Sequence, residues 1–281
     1  MSIKPVILGV FTSLITPYGL AESANTWLLI DNFEQPKAIE KWLKMDPDNN
    51  TKPFVDSPQI TETHLETTSD NHFLLKKPAA EGIIGNRKAI SIKRLPTPVP
   101  VGETYTFYTR IKVEYFPNNH SFGLSNLSAQ EIEKQNYNSF EPMIRVTDKF
   151  ESNSYKNDGT LMVMVDDKKY QKIRHLGSGE DARPLSTKHW YELWYVINNA
   201  THQQGGQSYD IYMRGGEFSQ QQKVFEYAKF RIKRERPLLY FMTISNTGSV
   251  KKPYGNGGLM YDDIYMAPGV VLTTPTDTHP P

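Results

Sequence analysis

One stretch of the sequence places aromatic and charged side chains together on one side of a predicted strand. Across residues 105–116 the side chains alternate, and the even-numbered set contains Thr, Tyr, Arg, Lys, Glu and Phe. Such a mixture suits a sugar, because the apolar C–H faces of sugar rings pack on aromatic planes while the hydroxyls need polar partners. Similar side chains occur in later segments. The predicted ligand-binding residues are Tyr108, Arg110, Lys112, Glu114, His120, Arg145, Tyr212 and Arg214.

The cationic members of this set favour an acidic glycan, and they also allow a catalytic interpretation. β-Elimination on a uronate needs a group that neutralises the carboxylate, a base and an acid. Arg145 is a candidate for the first role, and His120, Tyr108 and Tyr212 are candidates for proton transfer. The sequence strings typical of alginate-cleaving sandwich lyases are absent. Binding of a polysaccharide or oligosaccharide without turnover is therefore the preferred hypothesis, with a polysaccharide lyase as the alternative.

Other catalytic patterns receive less support from the sequence. A retaining glucanase needs two closely spaced carboxylates on one strand face, and Glu131 and Glu133 fall in a predicted helix or loop instead. No Gly-x-Ser-x-Gly elbow for a serine hydrolase and no His-x-x-x-His spacing for zinc occurs. Residues 148–160 form a polar loop without the residue order of a calcium-binding loop. No motif indicates an organic cofactor.

The overall charge balance argues against a nucleic-acid ligand. The 281 residues include 32 Lys and Arg and 31 Asp and Glu, which gives a formal charge of +1. A nucleic-acid-binding protein normally shows a basic excess or a basic stripe, and we find neither. The chain has no cysteine, so disulfides, thiolate metal sites and a cysteine nucleophile are excluded.

The sequence predicts a signal peptide at the beginning of the chain and a disordered tail at its end. Residues 1–21 combine one positive charge at Lys4 with a short apolar run and small residues before the predicted cleavage point at Ala21, as in a signal peptide. We therefore expect export to the periplasm or the extracellular space. Residues 273–281 are rich in Pro and Thr and are predicted to be disordered. Residues 22–272 are predicted to form a single domain without a transmembrane span.

The remaining pattern is that of an all-β protein. Alternation with a period of two recurs in many short segments, as expected for half-buried strands. Residues 190–197 and 238–245 are apolar on both sides and are predicted to be central strands. Residues 129–135 and 36–43 are the only stretches that suggest short helices. Many strands without long helices between them predict a two-sheet antiparallel sandwich.

Motifs at both ends of this domain resemble the concanavalin A-like lectin/glucanase superfamily and similar jelly-roll carbohydrate-binding modules. The opening WLLIDNFE at residues 27–34 and the closing GLMYDDIY at residues 258–265 are similar to the first and last strands of those folds. In the middle, residues 190–197 and 208–212 are similar to their W-Y-x-L and Y-D-V-Y pair. The resemblance implies a jelly roll with adjacent terminal strands and a saccharide ligand.

The same resemblance implies a structural calcium ion between the terminal strands. Carboxylates from two strands could supply the oxygen ligands that calcium prefers. The matching positions are Asp31, Glu34, Asp262 and Asp263. Because a shared fold does not carry a shared function, a structural or adhesive surface protein that binds other proteins stays a further alternative.

Overall fold

The computed structural model describes residues 27–69, 71–150, 156–166 and 169–276. The predicted leader and residues 277–281 of the predicted tail lie outside this part of the chain. The described residues form nineteen strands, one α-helix and three short 3-10 turns. The helix α1 spans Ala129–Gln135, and the turns span Ala38–Lys41, Asn136–Ser139 and His202–Gln204. The strands are β1 (Leu28–Asp31), β2 (Leu43–Met45), β3 (Asn49–Lys52), β4 (Ile60–Glu66), β5 (Asn71–Lys77), β6 (Ile84–Asn86), β7 (Ala89–Val99), β8 (Thr104–Val113), β9 (Asn119–Ser125), β10 (Phe140–Thr147), β11 (Met162–Asp166), β12 (Lys169–Lys172), β13 (Trp190–Asn198), β14 (Ser208–Gly215), β15 (Phe218–Lys229), β16 (Leu238–Ser245), β17 (Gly248–Ser249), β18 (Lys252–Pro253) and β19 (Leu259–Pro268).

Two large antiparallel sheets contain most of these strands. Sheet A has the order β15-β14-β13-β8-β19-β5-β4, and β1 lies beside β19. Sheet B has the order β12-β11-β10-β9-β16-β7-β2. Neighbouring strands are often distant in sequence, because the chain crosses repeatedly from one sheet to the other. This arrangement is the predicted two-sheet antiparallel jelly-roll sandwich.

The core between the sheets follows from the alternation along each strand. On β8, Phe107 and Ile111 point inward and are fully buried. The ring of Phe107 stacks on Tyr195 of β13 with centroids 5.6 Å apart. Phe122 of sheet B meets Tyr261 of sheet A edge to face at 5.5 Å. Each large side chain removed from water in this way contributes about 1.5–3 kcal/mol, so this layer supplies much of the stability.

The first and last described strands are adjacent, as the sequence motifs predict. Leu28 of β1 pairs with Met266 of β19. Next to this pairing, the Asp31 carboxylate accepts hydrogen bonds from Trp42 Nε1 at 2.9 Å and from Lys93 Nζ at 2.7 Å. Lys93 belongs to β7 of sheet B, so this partly buried ion pair links the terminal strand of one sheet to the other sheet.

The helix α1 covers part of the outer surface of sheet B. Ser128 caps its first turn in a capping box with Glu131, which satisfies two backbone donors. Ile132 is the buried residue of the helix and packs with Met143 and other apolar side chains outside sheet B. The helix has the predicted bounds. No helix of the described residues is long and apolar enough to span a membrane.

Candidate functional site

The outer surface of sheet A brings six of the eight predicted ligand-binding residues together. Strand pairing places Trp190 opposite Lys112, Glu192 opposite Arg110 and Trp194 opposite Tyr108. On β14, Arg214 lies opposite Glu192 and Tyr212 lies opposite Trp194. Glu114 follows Lys112 on the same side of the chain. The predicted alternation of β8 is therefore correct, but this side, which was predicted to meet a ligand, is mostly buried within the protein.

Arg110 lies at the centre of this surface and is almost completely buried. Its Nη1 is 3.4 Å from Asp262 Oδ2 and 3.3 Å from Asp263 Oδ2. A bulge in β19, with Asp263 at φ 50, lets these consecutive acids reach the same guanidinium. Burial, together with the neighbouring Asp263 charge, raises the pKa of Asp262 to about 8. Two acids and one cation are thus buried together away from water, where they pair with one another rather than with a ligand.

A second network joins Tyr108, Glu192 and Arg214. The Tyr108 hydroxyl donates to Glu192 Oε1 at 2.8 Å, and Arg214 Nη2 donates to the same oxygen at 2.7 Å. Arg214 Nε donates to the other carboxylate oxygen. Burial, and next the charge of Glu192, raises the pKa of Tyr108 well above its ordinary value. Tyr108 therefore holds its proton firmly and is badly suited to act as a base.

Lys112 and Glu114 also have partners within the protein. Lys112 Nζ donates to Glu66 Oε1 at 2.6 Å and lies 4.4 Å from the Trp190 ring centroid. Partial burial acts to raise the pKa of Glu66, but hydrogen bonds from Lys112 and Trp190 outweigh it, and the pKa is lowered. Glu114 pairs with Lys77 at 2.9 Å. These charges bind one another across strands.

The chain following β19 covers part of this surface. Trp194 Nε1 donates to the carbonyl oxygen of Thr273 at 3.1 Å, and Gln221 Nε2 donates to that of Leu272 at 2.8 Å. The ring of Trp27 meets Tyr108 edge to face at 6.2 Å. The first residues of the predicted tail therefore rest on sheet A. Of the predicted ligand-binding residues on this surface, Tyr212, Arg214 and Glu114 retain partial exposure.

His120 and Arg145 do not belong to this surface, which corrects the predicted grouping. His120 on β9 points between the sheets, is fully buried and has Nε2 2.8 Å from the Gly257 carbonyl oxygen. Burial lowers its pKa to about 3. Arg145 on β10 lies outside sheet B, on the opposite side of the sandwich from Tyr108 and Tyr212. The four residues predicted for β-elimination therefore lie in three places: outside sheet A, between the sheets and outside sheet B. The sequence does not show to which sheet each of their strands belongs.

The four acids predicted to bind calcium are divided in the same way. Asp31 accepts from Trp42 and Lys93, while Glu34 Oε2 is 2.9 Å from His72 Nδ1. Asp262 and Asp263 lie around Arg110 on the other face of sheet A. The described residues contain no group of three or more His, Asp or Glu side chains placed to hold a metal ion. These four carboxylates do not fit a single calcium site, and calcium binding stays a prediction.

An open cleft of about 530 Å³ lies outside sheet B and is here called the cationic cleft. Its floor includes Arg145 from β10 and Tyr170 from β12, and the end of α1 with the following 3-10 turn forms one wall. The segments before β7 and after β15 and β16 complete it. The lining consists of five cations, four amides and two tyrosines: Arg87, Lys88, Arg145, Lys149, Arg231, Gln135, Asn136, Asn138, Asn246, Tyr137 and Tyr170.

The arginines of the cationic cleft are held in place by their neighbours. The Arg145 guanidinium lies 5.0 Å from the Tyr170 ring centroid, and its Nη2 donates to Asn119 Oδ1 at 3.2 Å. Arg231 donates from Nη1 to the Tyr170 hydroxyl at 3.2 Å and from Nη2 to Asn138 Oδ1 at 3.1 Å. These contacts reduce the entropy that each cation would lose on binding a ligand.

Within the cationic cleft, Arg87 and Arg231 repel the charge of Lys88. Lys88 lies 4.7 Å from the centroid of the Tyr137 ring. Burial lowers the pKa of Lys88, the charges of Arg87 and Arg231 act in the same direction, and the charge of Asp48 opposes them. Arg87 has an acidic partner, Asp48, at 3.4 Å, but no carboxylate lines the cleft among the described residues. An anion placed here would relieve this repulsion.

Arg145 was the only residue of the cationic cleft that the sequence predicted as a site residue. Most of the others come from the end of α1 and from connecting segments that are far apart in the chain, and the balanced net charge gives no sign that they converge. Two local signals exist, the Arg87-Lys88 dipeptide and the basic run at residues 231–236. Either could have marked a basic loop, but neither indicates which strands it faces.

Comparisons with known proteins support the fold. No protein-family model matches the sequence, and no curated protein is detectably similar to it. Among solved structures, the winged bean acidic lectin in complex with methyl-α-D-galactose has a TM-score of 0.50 at 7% identity, over 87% of this chain and 98% of the lectin. An alginate lyase from Aplysia kurodai has a TM-score of 0.48 at 12% identity, over 75% of this chain and 87% of the lyase. The chain has the concanavalin A-like jelly-roll fold.

Proposed function

We propose that this chain, a concanavalin A-like jelly roll, binds an acidic polysaccharide in the cationic cleft, after export from the cytoplasm. The observation that carries the proposal is the lining itself, with five cations and no carboxylate among its described residues. Amides and tyrosines between the cations supply hydrogen-bond partners for sugar hydroxyls. The volume lies in the range of small-molecule and saccharide sites, about 300–1,000 Å³.

The outer surface of sheet A supports this role less well than the cationic cleft. Its charged groups already pair with each other, and Trp194 lies under the chain at Thr273. A ligand there would have to displace buried ion pairs, and leaving one charge of such a pair unpaired costs about 3–5 kcal/mol. In the cationic cleft, by contrast, a bound anion reduces existing repulsion.

Affinity electrophoresis tests the proposal. The protein is run through gels containing alginate, polygalacturonate or dextran, which compares two uronate polymers with a neutral glucan. We expect retardation by the acidic polymers that weakens as salt is added. Arg231→Gln should reduce the retardation, because a charged hydrogen-bond donor is worth about 1.5–3 kcal/mol. The matched control Arg183→Gln removes an exposed arginine outside the cleft and should not. Equal retardation by dextran, or none by any acidic polymer, would contradict the proposal.

A polysaccharide lyase acting in the same cleft is the second candidate. The Tyr170 hydroxyl accepts a hydrogen bond from Arg231 beside the Arg145 guanidinium, so a proton-transfer group lies next to cations that could neutralise a uronate. Incubation with uronate polymers would then raise the near-ultraviolet absorbance as an unsaturated sugar forms. If a polymer that retards the protein in the gel gives no rise in absorbance, the lyase candidate is rejected and binding without turnover remains.

A further inference from the structure

We propose that the folded chain forms an amide bond between the side chains of Lys76 and Gln59, with loss of ammonia. The two residues lie on neighbouring parts of sheet A, because Lys76 belongs to β5 and Gln59 directly precedes β4, which pairs with β5. Lys76 Nζ is 2.5 Å from Gln59 Oε1, closer than an ordinary N–H···O hydrogen bond. Neither residue lines the cationic cleft, so this reaction is independent of the proposed polysaccharide ligand.

Lys76 has the properties of an amine nucleophile. Its side chain is completely buried. Burial lowers its pKa from 10.5 to about 7, the charge of Asp46 acts to raise it, and the charge of Lys44 acts to lower it further. His120, which also points between the sheets, has its pKa lowered to about 3 by burial and is neutral. Near neutral pH a large fraction of Lys76 therefore carries a free electron pair, as nucleophilic attack requires.

The neighbours of Lys76 also orient this electron pair. A neutral amine has two hydrogens, and two hydroxyl oxygens are placed to accept them. Thr61 Oγ1 lies 3.0 Å and Ser91 Oγ lies 2.8 Å from Lys76 Nζ. With both hydrogens engaged, the electron pair is left for the remaining contact, the side-chain amide of Gln59.

The same hydroxyls polarise the carbonyl group of Gln59. Its Oε1 accepts hydrogen bonds from Thr61 Oγ1 at 2.9 Å and from Ser91 Oγ at 2.8 Å. Two fixed donors stabilise the negative charge that develops on this oxygen when a nucleophile adds to the carbon. A C=O length of about 1.23 Å and an angle of about 120° at the oxygen place Lys76 Nζ about 3.3 Å from Gln59 Cδ, which is a near-attack distance.

Asp46 contacts the nitrogen that must leave. Its Oδ2 accepts from Gln59 Nε2 at 2.9 Å, and its Oδ1 accepts from Asn86 Nδ2 at 2.7 Å, which fixes the carboxylate. Nζ adds to Cδ, the Cδ–Nε2 bond breaks, and one proton moves from Nζ to Nε2, so that ammonia is released. After addition both nitrogens are bonded to the same carbon, so the carboxylate that contacts one lies near the other and relays the proton. No further reactant is needed.

The bond closes a covalent loop around the β4–β5 hairpin at one edge of sheet A. Such a link stabilises a fold mainly by reducing the conformational entropy of the unfolded chain, as a disulfide does, and this chain has no cysteine for a disulfide. The structure describes the unlinked chain. The titration of Lys76, and any pH dependence of stability that follows from it, belongs to this unlinked form, because an amide nitrogen does not titrate.

The experiment follows the intact mass of the full chain, which is purified at about pH 5, where Lys76 is protonated, and is then incubated at about pH 8. We expect the mass to fall by one ammonia at the higher pH and to stay constant at the lower one. Digestion after glutamate cuts the chain at Glu62 and Glu66, so the peptides that contain Gln59 and Lys76 should stay joined only in the linked protein. The linked protein should also melt about 5–10 °C higher.

Two matched variants test the proton relay. Asp46→Asn keeps a polar side chain beside Gln59 but removes the carboxylate, and it should link at least about tenfold more slowly than the wild type. Asp48→Asn removes an acid that pairs with Arg87 instead, and it should link at the wild-type rate. Melting curves verify that both variants are folded.

Each other result overturns part or all of the proposal. A constant mass of the folded wild type at about pH 8 refutes bond formation. Loss of ammonia without joined peptides assigns the loss to another amide and refutes the bond as well. Joined peptides that form equally fast in urea-unfolded protein show that the folded arrangement is not responsible. Equal rates for the wild type and folded Asp46→Asn overturn the role of Asp46.

Discussion

Replacing Lys76 by methionine should abolish a strong increase in the free energy of unfolding as pH rises above 7. Lys76 lies on β5, points between the sheets and is fully buried. Its Nζ donates to Thr61 Oγ1 at 3.0 Å, to Ser91 Oγ at 2.8 Å and to Gln59 Oε1. Burial lowers its pKa from the ordinary 10.5 to about 7, against the opposing effect of the Asp46 charge.

The size of the effect follows from the two pKa values. Between pH 7 and 10.5 the unfolded chain holds a proton on Lys76 that the folded protein has released. The free energy of unfolding therefore rises with pH in this window, by about 1.4 kcal/mol for each unit. From pH 6 to pH 10 the contribution of this one group is about 4 kcal/mol, a large fraction of the stability of an ordinary domain. Methionine carries no proton and lacks this contribution.

Urea unfolding followed by circular dichroism at a series of pH values from about 6 to 10 measures this difference. The variant should remain folded, because the partners of Lys76 also bond each other, with Gln59 Oε1 accepting from Thr61 at 2.9 Å and from Ser91 at 2.8 Å. Lys41→Met, at an exposed position, is the control and should follow the wild type. A difference in unfolding free energy between wild type and Lys76→Met that stays constant across this range would refute the reasoning.

Three further expectations concern the other buried charges and the predicted metal. Burial raises the pKa of Asp262 from the ordinary 3.8 to about 8, so between these values the folded protein holds a proton that the unfolded chain has released, and the free energy of unfolding falls as pH rises from 3.8 to about 8. In urea unfolding across this range, Asp262→Asn should make that decline shallower, and an unchanged slope would contradict a buried, protonated acid. His120 has its pKa lowered from 6.5 to about 3, so its contribution is lost as pH falls across this interval; His120→Gln should move the acid-unfolding midpoint to lower pH, and a midpoint that rises or stays would oppose this. Because Asp31, Asp262 and the other predicted calcium ligands lie in three places with donors of the protein, EDTA and added calcium should leave the melting temperature unchanged, whereas a calcium-dependent rise would restore the predicted clamp.

The alternation along β8 illustrates how much of the fold is local information. A period of two in hydrophobicity shows which residues face a core whatever the partner strand is, so Phe107 and Ile111 could be placed correctly from the sequence. The terminal motifs also predicted the pairing of β1 with β19, because they resemble the first and last strands of folds in which those strands are adjacent. Ser128 and Glu131 likewise mark the start of α1 by a local rule.

The candidate site could not be located by the same means. Whether a polar residue is exposed depends on what covers its face, and the cover of Trp194 comes from residue 273, far along the chain. Arg145 alternates with the inward-facing Ile144 and Val146 and so points outward, but its strand belongs to sheet B, so it lies away from Tyr108. His120 is one position away from the outward residues Asn119 and Ser121, and a shift of one residue moves a side chain to the other face.

The sequence alone determined the class of fold, the inward face of the main strands, the short helix and the absence of cysteine chemistry, because these depend on residue type and near-neighbour spacing. The tertiary structure decided which charges are paired and buried and which converge in an open cleft. Arg87, Arg145 and Arg231 are brought together by crossings between two sheets, and no local pattern encodes how strands separated by more than fifty residues come to lie side by side.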